Sequence, residues 1–168
     1  MARTSAQPSE LLTALVAKLR TDLDLGERQC YQTWEPEVPP KIQRGGDYAV
    51  SVAFGEGSFD QSLFDGGGRG QLTEDMAILV TAYSRVRLDS TDVAEQAFHE
   101  TERGLFILAR KIVKVFAAYD PEPAAGRTCL RELLRPVRIG RPIVDKESSL
   151  GSISLQFIAS WDWDLTSA

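Results

Sequence analysis

The stretch Ser152-Ile153-Ser154-Leu155-Gln156-Phe157-Ile158-Ala159-Ser160-Trp161-Asp162-Trp163-Asp164 reads as a strand from end to end. Ile153, Leu155, Phe157, Ala159, Trp161 and Trp163 occupy one set of alternate positions, and Ser152, Ser154, Gln156, Ser160, Asp162 and Asp164 nearly fill the other. Successive side chains of a strand leave from opposite faces, so this period of two predicts a strand over 151–164 with one face buried. A strand this long needs a sheet to pair in and a second layer to cover its apolar face.

Working back toward the N-terminus, Val137 to Val144 reads as a short edge strand interrupted by Gly140 and Pro142. Cys129-Leu130 and Leu133-Leu134, after Gly126, suggest a short helix. Asp89-Ser90-Thr91-Asp92 gathers capping side chains, with two acids at the positive end of a helix dipole. Ala94, Ala97, Thr101, Leu105, Leu108, Ile112, Val115 and Tyr119 then step by three or four, until Asp120-Pro121-Glu122-Pro123 ends the run. One helix from Thr91 to Tyr119 is predicted, roughly 40 Å long at about 1.5 Å per residue.

Two further strands precede it. Met76, Ile78, Val80, Ala82, Val86 and Leu88 alternate with Leu79, Thr81, Tyr83, Arg85 and Arg87, while Tyr48, Val50, Val52 and Phe54 alternate with the small Ala49, Ser51 and Ala53. Between them, Gly55 to Thr73 carries six glycines, including Gly66-Gly67-Gly68, and is expected to be a long loop or arm at the tip of a hairpin. A weak strand signal covers Gln29 to Trp34, and the prolines from Pro36 to Pro40 force irregular backbone after it. Leu11, Leu12, Leu15, Val16, Leu19 and Leu23 form one stripe of an amphipathic helix from Ser9 to Leu25, with Gly26 as its stop. The organisation expected is a flexible tail over 1–8 and one α+β domain over 9–168, with 55–73 as an extended arm. Its sheet is expected to be mainly antiparallel, of four to five strands, flanked by a long helix and the N-terminal helix.

The chain has 168 residues, enough for one domain with a real core and too few for two. No stretch approaches the roughly 18 apolar residues of a membrane span, and Met1 to Ser5 lacks the apolar core of a secretory signal, so use inside a cell without membrane contact is expected. Cys30 and Cys129 form no CxxC pair and read as small apolar fillers. With His99 as the single histidine, sites built on two imidazoles are excluded. His99-Glu100 opens like HExxH, but Arg103 stands where the second histidine must fall. The glycine run lacks a following Lys-Ser or Lys-Thr and does not open a helix, so it matches neither common phosphate loop. Glu74-Asp75, and Asp162 with Asp164, could hold a divalent cation or share a proton, but a solvated face is the simpler reading. No catalytic residue, cofactor site or metal site is assigned, and the chain is not expected to be an enzyme.

Charge is unevenly spread. From Arg110 to Lys146 there are nine basic and four acidic residues, leaving ten basic and twenty acidic ones elsewhere: +5 in one segment, −10 in the rest. Such a chain can contact copies of itself head to tail. DNA or RNA binding through Arg127, Arg131, Arg135, Arg138 and Arg141 is the rival use, although these arginines have no aromatic residues among them and the pI is about 5.0.

The leucine-striped helix Ser9 to Leu25, the arm Gly55 to Thr73 between two strands, the helix Thr91 to Tyr119 and the closing strand Gly151 to Asp164 together resemble the tail-terminator and tail-completion (minor tail) proteins of long-tailed bacteriophages. The resemblance lies in element order rather than in a signature motif. It implies a structural virion protein of the phage tail, assembled in the host cytoplasm into a homo-oligomeric, hexameric ring. That ring would close the tail tube and join it to a head-side connector, with DNA passing through its channel without specific binding. The partners implied are further copies, the tail tube protein and the head–tail connector protein. Candidate contacts to a neighbouring copy or to the tube are Phe59, Leu63, Phe64, Gly66, Gly67, Gly68 and Arg69 in the arm, with Arg127, Arg131, Arg135, Arg138 and Arg141 in the basic segment. The basic segment has no counterpart in the family pattern.

Overall fold

A computed structural model describes residues 8–34, 48–60, 71–86, 104–119 and 135–164. Within them the fold is α+β: α1 (Pro8–Asp22), β1 (Cys30–Gln32), β2 (Tyr48–Asp60), β3 (Gln71–Arg85), α2 (Leu105–Ala117), β4 (Arg135–Ile139), β5 (Ile143–Asp145) and β6 (Leu150–Asp164). The six strands form one sheet in the order β1-β2-β3-β6-β4, with β5 also paired to β6. The β2–β3, β3–β6, β4–β6 and β5–β6 pairs are antiparallel, and β1–β2 is parallel. The sheet is therefore mixed, with one strand more than expected.

The alternation read from the sequence sets the core. In register across the three long strands lie Val52, Val80 and Leu155, then Val50, Ala82 and Ile153, then Phe54, Ile78 and Phe157. All except the half-buried Phe54 are buried, and the helices cover this face. α1 packs on β1 and β2, α2 on β3, β6 and β4, and the two helices touch. Leu12, Leu15 and Leu19 of α1 and Leu105, Leu108, Ile112 and Phe116 of α2 are almost wholly buried, each contributing roughly 1.5–3 kcal/mol of apolar transfer free energy.

Several boundaries differ from the expected ones. α1 starts at Pro8, a residue suited to a first helical turn, and ends at Asp22. Its stop is Asp24 in the left-handed region (φ 52°), not Gly26; the Leu25 amide donates to the Arg20 carbonyl at 2.9 Å, closing a Schellman turn. A continuous helix from Thr91 to Tyr119 is excluded, because Gly104 is extended (φ −60°, ψ 141°) and caps a helix that begins at Leu105. Residues 91–103 and the expected helix at 129–134 fall outside the described residues. The Val137–Val144 strand is split at Gly140–Pro142 into β4 and β5, both lying on β6.

The largest correction concerns the arm. Of the expected arm, residues 55–60 and 71–73 are strand, not loop: after a bulge at Gly55-Glu56 the pairing resumes at Gly57↔Met76 and runs to Asp60↔Thr73, and Gln71 to Asp75 also pair with β6 from Asp164 to Ser160. At about 3.3 Å per residue β3 is roughly 50 Å long, against about 20 Å for α2, so the three long strands run out beyond the helices as a ribbon.

Candidate functional site

The second face of the sheet carries the shorter and more polar side chains. In its centre the Tyr83 hydroxyl meets Ser51 and Thr81, and Thr81 shares a 3.0 Å hydrogen bond with Ser154. Ser51, Thr81 and Tyr83 are buried, and burial raises the Tyr83 pKa, which keeps the phenol neutral and structural. Tyr31, pushed up to about 12 by burial and then by Tyr83 and Cys30, and Cys30, pushed up to about 11 by burial against the opposing Arg20, are likewise held protonated on β1. A thiol in that state is a poor nucleophile.

Where the ribbon leaves this face, a groove of about 410 Å³ is lined by Gly55, Glu56, Gly57, Ser58, Asp75, Ala77, Leu79, Gln156 and Ile158. Gly55 permits its close approach to β3: a Cβ there would stand 3.1 Å from the Ala77 Cβ and 3.3 Å from Leu79. Asp75 accepts a hydrogen bond from Ser160, its register partner on β6. Glu74 and Asp75, considered together from sequence, lie on opposite faces because they are consecutive in one strand, so they do not form a carboxylate pair. A second groove of about 390 Å³, between the end of α1 and α2, places Asp22 and Asp24 near Lys111 and Lys114. Among the described residues no cluster of three or more His, Cys, Asp or Glu could hold a metal, and no helix is long and apolar enough to cross a membrane.

The distinctive surface is the sheet edge formed by β4 and β5. Val137, Ile139 and Ile143 are 50%, 57% and 62% exposed there, and Arg138 and Arg141 are exposed among them with no ion pair among the described residues. Arg138 stands opposite Gln156 and Ile143 opposite Ser152 on the second face, while Ile139 stands opposite Leu155 on the helix-covered one. The turn after β5 is fixed by Asp145, whose carboxylate accepts from the Glu147 amide and the Ser148 hydroxyl; these bonds, the Ser148 one foremost, lower its pKa. Arg135 is the first residue of β4.

Of the residues singled out from sequence, Arg135, Arg138 and Arg141 are thus gathered at one edge, and Phe59 lies on the ribbon opposite Glu74. The side chains of Phe59, Arg135, Trp161, Asp162, Trp163 and Asp164 lie outside the described residues, as do Leu63, Phe64, Gly66, Gly67, Gly68, Arg69, His99, Arg127, Cys129 and Arg131 entirely. Sequence reasoning placed Val137, Ile139 and Ile143 in an edge strand but did not name them as contact residues. Their signal was present: aliphatic residues interleaved with arginines and prolines in a segment broken by Gly140 mark an edge strand rather than a core one.

No family model and no curated protein matches the chain. A structural comparison finds the sheath/tube terminator, in the extended state, of an extracellular contractile injection system termed PVC, at a TM-score of 0.41 and 14% identity. The match covers 98% of this chain and 60% of that one. At that level of likeness the functional argument rests on this chain's own surfaces.

Proposed function

We propose that this chain is a structural protein that assembles with copies of itself into a ring at the end of a phage tail tube, closing the tube and joining it to a head-side connector. The observation that carries the reading is the β4–β5 edge, where three exposed aliphatic side chains alternate with exposed arginines. Grouped apolar side chains at an exposed edge, set among groups that fix orientation, mark an interaction surface. The order of elements described above, with its long paired strands running beyond the helices, fits a subunit that reaches along a tube. In this reading the ring has six copies, the tail tube protein and the connector are its partners, and DNA passes through the channel without specific contact. The protein then resides in the virion tail after assembly in the host cytoplasm.

Negative-stain microscopy of tail preparations, with light scattering of the isolated chain at high concentration, tests this. A ring at the tail end is expected; a strict monomer together with tails that carry no such ring would refute it. Retention on DNA that persists at about 50 mM salt and falls steeply above it would favour the nucleic-acid use of the arginines instead.

A further inference from the structure

We infer that successive copies join head to tail, the β4–β5 edge of one copy seating against the outer edge of β2, residues 55–60, in the next. This deepens the ring reading and rests on it.

Both edges are open among the described residues. β1 pairs with β2 only at Val50 to Val52, with two flanking bonds, from the Val50 amide to the Gln29 carbonyl and from the Thr33 amide to the Val52 carbonyl, and β4 and β5 pair only with β6. The two edges lie on opposite sides of the sheet with β3 and β6 between them, three strand spacings or about 14 Å apart. They cannot meet within one copy. Joined between copies they make a heterologous contact, which repeats and can close a ring.

Charge selects this pairing over the others. Residues 135–146 carry four basic side chains (Arg135, Arg138, Arg141, Lys146) and one acid, Asp145. The ribbon over 55–60, 71–76 and 159–164 carries six acids (Glu56, Asp60, Glu74, Asp75, Asp162, Asp164) and no base. Glu56 is exposed in the bulge of β2 on the open edge, and Asp60 is the last residue of the same strand. Two β4–β5 edges together would oppose arginines to arginines, and two β2 edges acids to acids; only unlike edges attract. Pro136, together with the register shift between Pro136 and Arg138, blunts β4 against regular backbone pairing. The contact therefore runs through side chains, Arg138 and Arg141 toward the acids and Val137, Ile139 and Ile143 toward the β2 surface.

The test uses two reversed variants, Glu56→Arg with Asp60→Arg, and Arg138→Glu with Arg141→Glu, followed by native mass spectrometry and sedimentation, with far-UV circular dichroism and the thermal midpoint confirming the fold. Each variant alone has two edges of like sign and should associate at least tenfold more weakly than the natural chain. An equimolar mixture should assemble again, because each variant then presents the edge that the other needs; alternation closes in rings of even count, six included. The chain carrying all four substitutions should also assemble. Variants that assemble like the natural chain, or a mixture that stays dissociated, overturn this contact while a natural-chain ring leaves the ring reading standing. A natural chain that is monomeric at every concentration, with no ring in tail preparations, removes both.

Discussion

Phe116 and Phe157 show how far a single contact reaches in this molecule. Their rings sit 4.4 Å apart at 54°, both fully buried, and tie α2 to β6. Phe116→Ala leaves a cavity in the core and should cost about 3–5 kcal/mol, read as a lower urea midpoint at unchanged slope. Cys30 and Tyr31 govern the alkaline limit. Their pKa values rise from ordinary values near 9 and 10 to about 11 and about 12, so above pH 9 the unfolded chain loses protons that the folded chain keeps, and stability falls as pH rises. Denaturation midpoints should be flat from pH 7 to about 8.5 and then decline, Cys30 alone accounting for on the order of 2 kcal/mol by pH 11. Cys30→Ala should flatten the first part of that decline. Cys30 was legible from sequence only as apolar filler; its titration depends on a burial that local sequence does not specify.

Two junctions test the elements. Asp24 holds the left-handed position that ends α1, where a side chain with a Cβ is strained, so Asp24→Gly should raise stability by about 0.5–1 kcal/mol. Gly151 works in the opposite sense. A Cβ there would stand 3.0 Å from Leu105 Cδ1 and 3.2 Å from Val86 Cγ2, so Gly151→Ala should force these packed methyls aside and cost about 1 kcal/mol, visible in the thermal midpoint. The strand cores at Tyr48 to Phe54, Met76 to Ala82 and Ile153 to Ala159 were legible because alternation is a local signal. The ribbon was not. Gly55, Gly57 and the acids around them read as loop by propensity, yet pairing with residues more than 80 positions away, such as Gln71 with Asp164, holds 71–75 as strand. Gly104 was missed for a related reason: the three-and-four spacing continues through it unbroken, while the backbone there is extended.

For the molecule as a whole, the paired flanks of 61–70 provide a test of the assembly reading. Asp60↔Thr73 is the last β2–β3 pair before that segment, so replacing 61–70 with a short Asn-Gly turn should close the hairpin and leave the thermal midpoint within a few degrees, while assembly onto the tail tube is impaired. Loss of folding would instead assign 61–70 to the core. The candidate site was half legible. Arg135, Arg138 and Arg141 stood out as a basic run, but their use as one edge beside exposed Val137, Ile139 and Ile143 depends on β4 and β5 being the last strands of the sheet. By itself the sequence determined the class, the apolar faces of the long strands, the leucine face of α1 and the division of charge, because each is a periodicity or a sum over neighbouring residues. Tertiary structure alone decided the parallel β1, the ribbon, the break before α2 and the open edge at β2. Each of those turns on which distant backbone supplies the hydrogen bonds, and no local pattern encodes that choice.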